Sequence, residues 1–216
     1  MRSNRGLYIS LTLALYASAL LSHGSPGLSA REIAEFVTQA VTFNTRKLDA
    51  TAIALFNLMG VWPAITAVLL LRTEPGKQRR RAALPFVLAS FVGGMFVLAP
   101  YLAFVRPEPS SQTARTTTDD GVAAFLRSRA VNLLLTAASI ALVGLAMTRG
   151  SAAAFASALD GDGLVAIMAV DFAAFWVASA DLIRVDAGER GYRGAARLAC
   201  VPVLGPLLYL ATTTAA

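Results

Sequence analysis

The feature that most limits what this chain can fold into is a series of apolar runs, each of about 18 to 22 residues and nearly free of charge, separated by short charged clusters. A helix rises about 1.5 Å per residue, so each run matches the hydrocarbon core of a bilayer. Five are read after residue 49: 50–71, 84–105, 130–147, 163–184 and 195–212. Charged residues make up 15% of the chain, against about a quarter in soluble domains, which agrees with lipid as the solvent. The expected fold is all-α, a polytopic transmembrane helix bundle of about five spans over residues 50–216.

Two segments precede the bundle. Residues 1–30 carry Arg2 and Arg5, the apolar run Leu7 to Leu21, and a Ser/Gly/Pro stretch ending in Leu28-Ser29-Ala30. That is the pattern of a signal or targeting segment, with an uncleaved anchor as the other reading. Residues 31–49 place Ile33, Phe36, Val37, Ala40 and Val41 on one helical face, as an interfacial amphipathic helix or an ordinary packed surface helix would.

Several chemistries drop out. His23 is the only histidine and Cys200 the only cysteine. A Ser/His or Cys/His nucleophile outside the targeting segment lacks its base, and a zinc or haem site lacks its usual ligands. No Walker loop, dinucleotide fingerprint or CxxC occurs. The net charge of +6 sits beside the apolar runs, where it anchors to the membrane surface and sets topology, and no nucleic-acid partner is expected. No metal or resident cofactor is expected; binding of a pigment or lipid stays open. The lipid bilayer is the expected partner, with other membrane subunits as further candidates.

The runs are not uniform. Asn57 and the Gly60, Trp62, Pro63 group interrupt the first, Gly93-Gly94 the second, and Pro202, Gly205 and Pro206 the fifth. The fourth contains Asp181, three residues before Arg184 and explained by an ion pair, and Asp171, which lies deeper and needs a partner, water or a proton. With straight helices alternating in direction, Asp171, Ser139, Ser90, Thr66 and the Gly205 break all fall about 7 to 12 Å from one face. The expectation is one polar layer in which hydroxyls donate to Asp171. Structural glue and a proton-carrying or ligand-binding role are both open for it. Alternating loops also put eleven Lys/Arg on the face of residues 31–49 and six on the other, which favours that face as cytoplasmic or stromal.

The run Phe56-Asn57-Leu58-Met59-Gly60-Val61-Trp62-Pro63, with Leu84-Pro85-Phe86, Ala99-Pro100-Tyr101-Leu102 and the closing Val201-Pro202-Val203-Leu204-Gly205-Pro206-Leu207-Leu208-Tyr209-Leu210, resembles an uncharacterised family of small polytopic membrane proteins of plant and algal plastids and cyanobacteria. The stretch from Asp171-Phe172 to Gly205-Pro206 is similar, more faintly, to the plastid membrane family required for making the carotenoid neoxanthin, although that family's tryptophan-histidine pattern before the Asp is absent. The resemblance implies a multi-pass plastid membrane protein of the thylakoid or envelope. Together with the missing catalytic equipment, it leads to a non-enzymatic component that packs with other membrane subunits or assists their assembly. The rivals are a carotenoid- or lipid-modifying enzyme using Asp171, which needs an elongated apolar pocket ending at that carboxyl group, and a small proton or solute transporter, which needs a path from both faces.

Overall fold

The computed structural model describes residues 4–22, 25, 28–74, 77–106, 125, 128–192 and 194–214; His23 and the loop core 107–124 lie outside these. Among the described residues all regular structure is helical. The helices are α1 (Arg5–Leu21), α2 (Ala30–Val41), α3 (Ala50–Thr73), α4 (Lys77–Pro100) continued by a π-helical turn (Tyr101–Val105), α5 (Arg129–Arg149), α6 (Ala152–Gly161), α7 (Gly163–Arg190), α8 (Ala195–Ala199) and α9 (Leu204–Thr214).

Four stretches are long and apolar enough to cross a membrane: Ala50–Thr73, Gln78–Val105, Arg129–Arg149 and Gly163–Arg190. The fifth expected span, 195–212, is not one helix but the short pair α8 and α9. Its Pro202-Val203-Leu204-Gly205 sequence turns the chain, with Val203 at φ 59° and the Leu204 N–H donating to Pro202 O at 2.6 Å.

The second stretch does not run straight either. A straight helix from Lys77 to Val105 would separate its ends by about 42 Å. Instead Arg106 Nε donates to Glu74 Oε1 at 2.6 Å, and the Phe86 and Tyr101 rings stack with centroids 4.5 Å apart. The chain reverses at Gly94, whose φ of 56° and ψ of −145° lie in a region that glycine alone adopts readily. Residues 77–106 are therefore a helical hairpin that enters and leaves the bundle at the same end. The α8–α9 pair repeats this. Tyr192 and Tyr209 meet edge to face at 5.6 Å, and Thr213 is back at the end of α3, accepting from Arg72 Nη1 at 2.7 Å.

With both hairpins in place the chain order becomes a repeat: α1, α2, α3, hairpin, then α5, α6, α7, hairpin. Serines cap the two short helices, Ser29 for α2 and Ser151 for α6, and aspartates cap the two central ones, Asp49 for α3 and Asp162 for α7. Counting from those aspartates, Trp62 and Phe175 are both thirteenth, and Thr66 and Ser179 both seventeenth. Each pair touches: the rings lie parallel within 6° with centroids 6.1 Å apart, and the hydroxyls are 3.4 Å apart. Like meeting like is the signature of a two-fold axis. Because α3 and α7 run parallel, that axis follows the bundle, the relation seen in parallel-repeat membrane folds. No such repeat is visible in the sequence, where few of these positions keep the same residue.

α1 is part of this core. Tyr8 and Leu15 are fully buried, Tyr8 Oη donates to Asp181 Oδ2 at 3.0 Å, and Arg5 Nε donates to Ala103 O at 2.7 Å. The segment expected to serve targeting thus occupies, in the first repeat, the position that α5 holds in the second. Intact-mass measurement of the protein from membranes is expected to retain residues 5–21. A chain starting near Arg31 would show that the bundle closes without them.

The hairpins also redistribute charge. Arg5, Arg72, Lys77, Arg79, Arg80, Arg81, Arg106, Arg129, Arg184 and Arg190 gather toward one end, and Arg31, Arg46, Lys47 and Arg149 toward the other. By the positive-inside rule the first end, the more positive, is the inner one, opposite to the orientation expected from five alternating spans. In a Cys200→Ser background, Arg81→Cys is expected to be shielded from an impermeant maleimide added outside, and Arg46→Cys to react; the reverse pattern would overturn the assignment.

Candidate functional site

Asp171 projects from α7 onto the tip of the first hairpin. The reversal at Gly94 takes the Met95 N–H out of the α4 ladder, and Asp171 Oδ1 accepts from it at 2.8 Å. A carboxylate on one helix thus caps the start of the returning limb on another, where the free N–H groups and helix dipole favour negative charge. Gly94 is required twice: for its φ, and because a Cβ there would sit on the Asp171 carboxyl group.

Beside this contact lies a cleft of about 730 Å³ between α2, α3, α7 and the hairpin tip. Ile33 and Val37 come from α2, Phe56 and Met59 from α3, Phe91 and Phe96 from α4, and Ile167 and Met168 from α7. Asp171, Asn57 and Ser90 are its polar side chains, and among the described residues no Lys, Arg or His lines it. Val92, almost fully exposed, and Phe91, about half exposed, stand where the cleft meets the outside of the bundle.

The structure gathers only part of the expected polar layer. Asp171, Ser90 and Asn57 share the cleft. Ser90 is buried and its hydroxyl donates to Val87 O at 2.6 Å rather than to Asp171. Asn57 Nδ2 donates to Ala40 O at 3.1 Å and Ile53 O at 2.9 Å, joining α3 to the end of α2. Thr66 lies on the pseudo-axis, donating to Trp62 O and facing Ser179, which is eight residues, about 12 Å, along α7 from Asp171. Ser139 is buried but donates to Leu135 O within its own helix. The alignment of depths fails because the first hairpin puts the loop after α3 and the loop before α7 at opposite ends.

The remaining motif residues are structural. Trp62 packs between Phe172 and Phe175 on the axis, and α3 continues through the buried Pro63. Gly205 lies so close to Leu198 O that any side chain would strike it, and Pro202 and Pro206 flank that turn. The carbonyls of the broken helix do not reach Asp171; Ala199 O accepts from Trp176 Nε1 at 2.8 Å instead. Asp181 pairs with Arg184 at 2.7 Å, as its spacing suggested, and its other oxygen takes the Tyr8 hydroxyl.

Met95 and Tyr8 are the support residues that sequence reasoning passed over, and Gly94 was read as a break without its link to Asp171. The available signal was the adjacent glycine pair in one span and an acid needing a partner in another. Among the described residues no group of three His, Cys, Asp or Glu is placed to hold a metal ion. No family model matches the chain, and no curated protein or solved structure is similar to it.

Proposed function

We propose that this is a non-enzymatic membrane protein that holds an amphipathic lipid or pigment in the cleft beside Asp171. The observation that carries this reading is the cleft itself: its volume falls in the range of small-molecule sites, its walls are apolar, and its few polar groups are clustered. The plastid setting, and a role beside other membrane subunits in assembly or pigmentation, rest on the resemblance of the FNLMGVWP and PVLGPLLYL runs and are proposed with it.

Gly60 lines the cleft, and a Cβ added there meets no atom within 4 Å, so Gly60→Phe fills the space without disturbing the hairpin. Wild-type protein extracted gently from its membranes is expected to carry a stoichiometric lipid or pigment by mass spectrometry, and Gly60→Phe to lose it. Equal retention by both, or a ligand-free wild type, would overturn the proposal.

One observation favours a second reading, a lipid- or pigment-modifying enzyme: the apolar cleft has a carboxyl group in its wall, as acid or base chemistry would require. One oxygen of that group is engaged by Met95, which leaves the other for chemistry. Under this reading Asp171→Asn accumulates normally and loses turnover. Transport has less support, because the axis between the repeats is filled by Trp62, Phe175, Thr66 and Ser179, all fully buried.

A further inference from the structure

The polar groups of the cleft have a common property that narrows what it can hold. Ser90 has one hydroxyl proton, and it is given to Val87 O. Asn57 has two amide protons, and they are given to Ala40 O and Ile53 O. Asp171 receives the Met95 N–H on Oδ1, which occupies one of its two oxygens. After these internal bonds, Ser90 and Asn57 can offer a ligand only acceptor capacity, the Ser90 lone pairs and the Asn57 carbonyl oxygen, beside the second oxygen of Asp171.

We propose that the cleft selects amphiphiles whose polar end donates hydrogen bonds and carries no negative charge, as an alcohol does, and rejects those ending in phosphate or carboxylate. This rests on the reading of the cleft as a ligand site. A hydroxyl directed at Asp171 satisfies an acceptor that burial would otherwise leave unpaired. An anionic end finds no cation in the lining to offset its charge and no free side-chain N–H, in surroundings of low dielectric where an unpaired charge is costly. The apolar body lies against Met59, Ile167 and Met168, and the molecule reaches the site from the bilayer past Phe91 and Val92.

The test uses the full chain in phosphatidylcholine nanodiscs, since that lipid head carries no hydrogen-bond donor. Two single-chain probes differing only in the head are titrated and followed by native mass spectrometry: monooleoylglycerol and its phosphate ester, oleoyl lysophosphatidate. The alcohol is expected to bind at least about tenfold more tightly than the phosphate, and Gly60→Phe to abolish that binding. If both probes bind equally and both are lost in Gly60→Phe, the cleft is a ligand site but the donor rule is wrong. If neither binds, or Gly60→Phe changes nothing, the ligand-site reading falls as well.

Discussion

Gly94→Ala is expected to be among the most damaging single methyls that can be added to this protein. The φ of 56° at this position costs a residue with a side chain roughly 1 to 3 kcal/mol. The new methyl also lands on the Asp171 carboxyl group, so the acid must leave, and the Met95 N–H loses its acceptor inside the bundle. An unsatisfied buried group adds roughly 1 to 3 kcal/mol. The total, about 2 to 6 kcal/mol, is a large part of the stability of a typical domain. Unfolding in mixed micelles should show it, with Gly144→Ala as the control: that glycine has φ in the ordinary range and open space around its Cβ position. Asp171→Asn, which keeps an acceptor for Met95, should be milder than Asp171→Leu, which does not. If Gly94→Ala unfolds like Gly144→Ala, the hairpin tip is not held by this contact.

The same residues show how far the sequence could be read. The helical character of 50–71, 130–147 and 163–184 follows from hydropathy, and the structure carries them on to Thr73, Arg149 and Arg190, with Asp49 and Asp162 capping the starts of the first and third. The sites of breakage at Gly93-Gly94 and Pro202 to Pro206 were equally plain, because glycine and proline mark them by their own geometry. What hydropathy does not carry is direction. A hairpin folded at its middle buries the same apolar residues as a straight span, so residues 84–105 read as one crossing. The error then spread: one reversed segment exchanges the faces of every later loop, which misplaced Thr66 relative to Asp171 and inverted the charge balance. The repeat escaped notice because shape was kept where identity was not, as with Trp62 and Phe175 or Thr66 and Ser179.

A repeat of apolar helix, short helix, long apolar helix and hairpin leaves the half of the bundle below each hairpin tip unfilled by the hairpin. In the first repeat α2 lies over that space, and the cleft at Asp171 is what remains between them. In the first repeat the position equivalent to Asp171 is Leu58 of α3, each the ninth residue after its capping Asp, so only one half of the pair carries an acid. Near-symmetric architecture with an asymmetric polar group is how a repeated fold comes to hold a single site.

The second hairpin, like the base of the first with its Arg106–Glu74 pair, is held by buried charge, and removing that charge is the other large effect expected. Asp186 is fully buried, accepts Arg190 Nε on both oxygens at 3.0 Å, accepts the Tyr209 hydroxyl at 2.8 Å, and lies 3.9 Å from Arg72 Nη1. Asp186→Ala leaves the buried Arg72 guanidinium without that carboxylate and the Tyr209 hydroxyl without its acceptor, at a cost of about 3 to 5 kcal/mol. Replacing both charges together, Arg72→Met with Asp186→Leu, should cost less than Asp186→Ala alone, because the buried guanidinium leaves with its carboxylate and only the partly exposed Arg190 loses a partner. Trp176 reports on the outcome, since its indole N–H is bound to Ala199 O at the hairpin turn. With Trp62 replaced by Phe it is the single tryptophan, and its emission should shift to the red in Asp186→Ala and return toward wild type in the double replacement. An unshifted Asp186→Ala would mean that packing of α9 on α5, and not the buried acid, keeps the second hairpin in the bundle.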